Sequence, residues 1–238
     1  MKLLVSIPVL YHGHIFDECM SHLINHNNVD ILIGDNGSNP DVKKIIEKYQ
    51  SFSNVKIIRE SVNIFVNPMW NKFMAYFLDN TQYDYLIILN SDLLLQKNWS
   101  EVCKKYWEVF PDDILIPKQI PDKDFLSMDY NTSIMSAQQV NSGTAGVFIT
   151  MNRKQCEMVN PIPEEILVWF GDNWVYEILR NFYKTVIPEN LISYHFHGGS
   201  QTVQSVSGIS EIIEQDKIKW ADVVQPKMVE LIEKINNK

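Results

Sequence analysis

"LIILNSDLLL", residues 86–95, carries an apolar run into the polar break Asn90-Ser91-Asp92 and then returns to leucine. A run that is apolar at every position, rather than at alternate ones, reads as a strand buried on both faces, as strands of parallel sheets are. Its polar end has two readings. Asn, Ser and Asp are turn-formers that bond their own backbone, and a carboxylate at a strand end can also hold a cation or a ligand. The neighbouring segments decide between them.

Upstream, residues 2–10 are β-branched and apolar, and in "HIFDECMSHLINHN" the residues Phe16, Cys19, Met20 and Leu23 recur at helical spacing. "VDILIGDNGSNP" is a second buried strand with a polar end, after which Asn39 caps and Pro40 starts a helix through "DVKKIIEKY". "NVKIIRES" is a third strand. Asn67-Pro68 repeats the cap-then-proline signal before "MWNKFMAYFLDN", which leads into the opening strand. This β-α-β-α-β-α-β order predicts a parallel sheet with right-handed crossovers and helices on both faces. Ligands of such sheets sit beyond the carboxyl ends of the strands. Pro8–Tyr11, Asp35–Ser38, Arg59–Asn63 and Asn90–Asp92 should therefore converge on one rim.

The second half differs in texture. "DDILIPKQI" and "AGVFITMNR" read as strands on either side of a long polar stretch, 121–144, that suits a substrate loop. "FGDNWVYEILRNFYK" puts Val175, Ile178, Leu179 and Phe182 on one helical face, with Asp172 at the helix N-terminus. "TVIPENLISYHFHGGS" reads as a strand or hairpin ending in His195 and His197, which share a face if the strand stays regular. The tail after residue 205 is helical with a break at Pro226. It is placed to cover a cleft, make a dimer or touch a membrane surface.

With 238 residues and 45% hydrophobic content, the chain can bury a substantial core. A formal charge of −8 without a basic stripe argues against nucleic acid as a partner. Cys19, Cys103 and Cys156 are far apart, odd in number and without a CxxC pair, which fits a reducing compartment rather than a disulfide framework or a zinc site. "LLVSIPVL" is interrupted too soon by Pro8 to be a signal peptide or a membrane span, so no transmembrane segment is expected and the reading is cytoplasmic.

In this order the motifs resemble the GT-A glycosyltransferases of the family-2 type, over residues 3–200. "VSIPVLYHG" resembles the first nucleotide-binding strand and "IGDNGSNP" the second with its acidic residue. "SVNIFVNPMWNKFM" is similar to the asparagine-rich segment, and "ILNSDLLL" to the metal-binding DxD strand. "SGTAGVFITMNRKQCEMV" resembles the acceptor-side strand of small residues. "VWFGDNWVYEILR" resembles the acidic helix start, and "VIPENLISYHFHGGS" the terminal histidine segment. There are two departures. The DxD reads Asn90-Ser91-Asp92, and the Glu-Asp pair reads Asp172-Asn173.

The resemblance implies an α/β GT-A fold, with a mostly parallel nucleotide-binding sheet flanked by helices, a smaller acceptor-side β region and a helical C-terminal tail. It places a single catalytic domain in 1–205, with 1–95 the nucleotide-sugar half and 96–205 the acceptor half, followed by a 206–238 extension. The implied activity is inverting transfer of a sugar from a nucleotide-sugar donor to a hydroxyl of a glycan or other acceptor. Asp92, with His195 or His197, would hold Mn²⁺ or Mg²⁺ on the diphosphate, since hard oxygen ligands suit both ions and imidazole tilts toward manganese. Asp172 would be the base, with Trp169 and Trp174 as faces for a sugar ring. Pro8, Tyr11, Asp35, Asn36, Arg59, Asn63, Asn71, Asn90 and Ser91 would bind the donor, Asp35 through a base N–H, with uracil favoured over guanine. His12 and His14 read as loop residues.

Competing classes fit less well. A nucleotidyltransferase would open with a glycine-rich basic loop where this chain has "PVLYHGHIF", and no GxGxxG follows any strand, as a dinucleotide oxidoreductase would need. A catalytically silent sugar-nucleotide-binding module stays open because of the two departures.

Overall fold

The apolar runs become the strands of one sheet in the computed structural model, which describes residues 1–128, 130–132, 136–141, 146–196 and 208–237. The first half alternates β1 (Leu3–Val9), α1 (Gly13–Ser21), β2 (Val29–Asn36), α2 (Pro40–Tyr49), β3 (Val55–Glu60), α3 (Val66–Asp79) and β4 (Tyr85–Leu89). After it come β5 (Leu93–Leu95), α4 (Trp99–Val109), β6 (Ile114–Leu115), β7 (Lys118–Gln119), β8 (Ala137–Gln139), β9 (Phe148–Asn152), α5 (Arg153–Val159), α6 (Gly171–Leu179), β10 (Thr185–Pro188) and β11 (Ile192–His195). Two further helices, α7 (Ile209–Lys219) and α8 (Gln225–Asn236), close the chain.

The main sheet has the order β3-β2-β1-β4-β9 among the described residues. β1 pairs in parallel with β2 and β4, β2 in parallel with β3, and β9 joins β4 antiparallel. Because side chains alternate along a strand, the sheet feeds two cores. Leu3, Val5 and Ile7 pack with Phe16, Cys19 and Met20 of α1. On the opposite face, Leu4, Leu32, Leu86 and Ile88 pack with Met69, Phe73 and Phe77 of α3. Burying each large apolar side chain contributes about 1.5–3 kcal/mol, so the helices are held by their apolar faces. Two small sheets, β6-β10-β8 and β5-β11-β7, form the rest of the β structure among the described residues.

Several local expectations are corrected. Asn39 does cap α2, accepting from Val42 N–H at 2.9 Å, but the same signal at Asn67-Pro68 is used otherwise. The α3 helix starts two residues earlier, at Val66, from Phe65 without a side-chain cap, and the Asn67 side chain makes tertiary bonds instead. β10 and β11 belong to different sheets and are not a hairpin. The polar stretch is not all loop: residues 123–127 form a 3-10 turn with Leu126 buried, and β8 pairs with β10. Phe182 lies beyond the end of α6, although it packs on the core. Pro226 does not break the tail. A π turn over Trp220–Val224 joins α7 to α8 and places the proline in the first turn of α8, where its missing N–H costs no helical bond.

Candidate active site

The carboxyl ends of β1, β2 and β4 open on a cavity of about 590 Å³. One wall comes from these strand ends, with Pro8, Tyr11, Asn36, Asn90, Ser91 and Asp92, and the loop after β3 adds Asn63. The facing wall is Gly146–Val147, Val168–Asn173 and His195, and Ile209 of α7 reaches it from the tail. The rim expected from strand order therefore exists. Asn36 shapes it: its Oδ1 accepts from Ile64 N–H at 2.9 Å and its Nδ2 donates to Phe65 O at 3.1 Å, while Asn63 Oδ1 accepts from Phe65 N–H at 2.8 Å.

Three non-glycine residues with positive φ line this cavity, His12 at 57°, Phe65 at 70° and Phe170 at 64°. Each is the residue from which a helix starts (α1, α3 and α6), and none supplies a side-chain cap. Such conformations cost of order 1 kcal/mol each and collect at functional sites. They let the chain turn abruptly, so that three helices begin at one cavity.

Asp172 stands in the first turn of α6, two residues past the helix-starting Phe170, so it is not the N-cap. Its Oδ1 accepts from Asn173 N–H at 2.9 Å and its Oδ2 from Gly146 N–H at 3.0 Å. Burial pushes its carboxyl above the usual range, and the Glu177 charge adds to this; the hydrogen bonds from Asn173 and Gly146 pull it back only in part. Gly146 is small for a reason, since a Cβ there would lie 2.7 Å from Asp172 Cβ.

Asp92 and His195 meet from two strands. Asp92 Oδ1 is 3.2 Å from His195 Nε2, a close contact that is not aligned as a hydrogen bond, and this oxygen accepts none from the described residues although it is buried. The pairing of β11 with β5 holds them, with His195 opposite Leu93 and Phe196 N–H donating to Asp92 O at 3.0 Å. A carboxylate oxygen and an imidazole nitrogen side by side fit a divalent cation. The described residues contain no group of three or more such ligands, and His197 lies outside them.

Other candidates are placed elsewhere. Asp35 is 1% exposed, does not line the cavity, and has both oxygens engaged, one by Ser38 N–H and one by Arg59 at 3.0 Å. Arg59 thus sits behind the rim as its ion-pair partner. Asn71 is turned away from the cavity, exchanging two hydrogen bonds with the Ile162 backbone at 2.8 and 2.9 Å. Trp174 is core, 6% exposed, and donates its indole N–H to Val159 O, whereas Trp169 is 43% exposed and lines the cavity.

Several contributors are given no role in the site by the sequence reading. His12, read only as a loop residue, lines the cavity with Phe65, Trp70 and Phe170, and Asn67 anchors the loop before α6 by donating Nδ2 to Ile166 O and Trp169 O at 3.2 and 3.0 Å. Only Asn67 carried a signal, its place in the asparagine-rich segment, and that signal was read as a cap. Gly171 packs on it so closely that a Cβ would collide with Asn67 Oδ1. Gly171→Ala is expected to cost about 1–3 kcal/mol, the usual result of overpacking. Urea denaturation, with an unchanged m-value, checks it.

A family model described as Glycosyl transferase family 2 matches residues 5–154. No curated protein matches the sequence. Among solved structures, S. aureus TarS 1-349 aligns with a TM-score of 0.63 at 11% identity, covering 94% of this chain and 73% of that one. TarS 1-349 in complex with UDP-GlcNAc aligns with a TM-score of 0.63 at 15% identity, over 98% of this chain and 70% of that one. The complex with UDP gives 0.61 at 14%, with the same coverage of 98% and 70%. Family and fold are consistent with nucleotide-sugar glycosyl transfer. Three parallel crossovers feeding one rim, an antiparallel closing strand and the match over residues 5–154 lead to one conclusion: the chain belongs to glycosyl transferase family 2 and has its GT-A fold.

Proposed function

We propose that this protein is an inverting glycosyltransferase that moves a sugar from a nucleotide-sugar donor to a hydroxyl of a glycan or other acceptor. The observation that carries this reading is the cavity itself. It sets the donor-side strand ends opposite a buried carboxylate, Asp172, whose raised pKa makes it a better proton acceptor than an exposed aspartate. Asp172 takes the proton of the acceptor hydroxyl as that oxygen attacks the anomeric carbon. The bond from that carbon to the diphosphate breaks on the opposite face, and the diphosphate leaves with the electron pair. Trp169 offers its exposed ring to a sugar, and the Pro8–Tyr11 segment offers a surface to the base.

Asp92 with His195, or with His197 from outside the described residues, would hold a Mn²⁺ or Mg²⁺ ion, which when bound neutralises the charge that develops on the leaving diphosphate. The TarS structures hold UDP-GlcNAc and UDP, which supports a uridine donor here. Cys19, Cys103 and Cys156 are free and buried, and burial pushes all three thiols well up. No described helix is long and apolar enough to cross a membrane.

A thermal-shift panel of UDP-, GDP-, CMP- and dTDP-sugars with and without Mn²⁺ tests the reading, because a ligand of the native state raises Tm by mass action. Metal-dependent stabilisation by a UDP-sugar is expected, with a GDP-sugar the second choice. A flat response to every nucleotide would remove the donor site from the reading.

A further inference from the structure

The loop that delivers Asp172 is held from two sides. On one side Asn67 takes its carbonyls, Ile166 O and Trp169 O through Nδ2, and the Asn67 N–H donates to Leu167 O at 3.0 Å. On the other side stands Asp216, in the middle of α7 and 1% exposed. Its Oδ1 accepts from Leu167 N–H at 3.0 Å, and its Oδ2 accepts from Val168 and Trp169 N–H at 2.7 and 2.9 Å. A buried carboxylate is costly unless its oxygens are filled. Here three backbone donors fill them, and charge-assisted bonds are the strong kind.

The neighbouring contacts follow the same line. Lys217 lies 5.4 Å over the Trp169 ring, Phe170 stacks on Trp220 at 5.0 Å, and Lys227 of α8 pairs with Glu165. The next residues in the chain are Gly171 and Asp172. We propose that Asp216 is a positioning residue: by fixing the Leu167–Trp169 amides it sets where the Asp172 carboxylate stands, so that α7 is a working part of the acceptor-side wall. This rests on the reading of Asp172 as the proton acceptor. It gives the tail a role beside the three that its sequence left open, bracing this wall.

The test compares the parent with Asp216→Ala and Asp216→Asn by amide hydrogen exchange on the full chain, alongside turnover of UDP-GlcNAc with Mn²⁺. In Asp216→Ala the Leu167, Val168 and Trp169 amides should exchange at least about tenfold faster, as expected when charge-assisted bonds are lost. Gly146 and Asn173, whose N–H groups end on Asp172, should also exchange faster, while β1 and β4 stay protected. Turnover should fall about tenfold or more in kcat with KM unchanged, and Asp216→Asn, which keeps one acceptor oxygen, should fall between. If 167–169 loosen while Gly146, Asn173 and kcat stay as in the parent, Asp216 is only a structural bond and the proposal is overturned. Should Asp216→Ala fail to fold, Asp216→Asn gives the same two readouts. A parent without turnover would count against the proposed activity, and the Gly146 and Asn173 amides would still decide the role of Asp216.

Discussion

Asp172→Asn is expected to keep donor affinity and lose transfer, by roughly 10² to 10⁴, the usual contribution of a positioned general base. The amide retains an acceptor oxygen for one of the two N–H donors, Gly146 and Asn173, so the wall should hold its shape. The acidic limb of the parent's kcat/KM profile should lie above the ordinary aspartate range, and it should vanish in the variant. A helix N-terminus by itself would pull the carboxyl down by stabilising its charge; burial is the larger influence here, and the net direction is up.

The same shift fixes the sign of the stability change. A carboxyl that holds its proton more tightly when folded favours folding below its unfolded pKa, and this contribution is lost as pH rises through the folded value. Above that folded value the parent carries a buried charge that asparagine does not. There the variant should melt at or above the parent, and the gap should close in acid. Retained transfer with an unchanged profile would move the base elsewhere, first to Glu177, which accepts from Asn173 Nδ2 one turn along the helix.

Asp92→Asn should remove metal-dependent donor binding. The expected loss exceeds about a hundredfold, because losing even an outer-shell partner of a metal site costs roughly 10–100-fold. Isothermal titration with UDP-GlcNAc at fixed Mn²⁺ measures it. The fold should be untouched: the bond that ties this turn to the end of β11 is accepted by the Asp92 backbone carbonyl from Phe196 N–H, and the side-chain oxygen facing His195 accepts no hydrogen bond from the described residues. Asn90→Ala should be milder, since the bond recorded for Asn90 on the facing wall is from its backbone N–H to Val147 O at 3.0 Å. A variant that binds Mn²⁺ and donor as the parent does would leave Asp92 a turn-former.

The sheet was legible because its signals are local. Continuous apolar runs and the Asn39-Pro40 cap each depend on a few consecutive residues, and the convergence of strand ends follows from handedness alone. What was hidden depends on partners far away in sequence. Asn67 offers the same letters as Asn39, yet its amide is drawn off by backbone about a hundred residues later, a pairing that no window can contain. Asp35 looked available for a base, but Arg59 on the next strand had claimed it. Trp169 and Trp174 are alike as letters, and only the loop's path puts one in the cavity and the other in the core. Phe65 and Phe170 were invisible for another reason, since a positive φ runs against the preference of phenylalanine and is imposed by the surroundings, and His12 takes the same sign of φ with no neighbouring signal to announce it.

The antiparallel seat of β9 has a consequence for how the chain is made. β4 is paired with β1 within the first 89 residues, but its other edge waits for Phe148–Asn152. On a ribosome adding roughly 5–20 residues per second, that edge, all of it apolar, is open for several seconds. Exposed apolar strand edges are templates for pairing with another chain. The interval between β4 and β9 is therefore a window in which nascent copies can pair with one another, and added chaperone during that window is expected to raise the soluble yield.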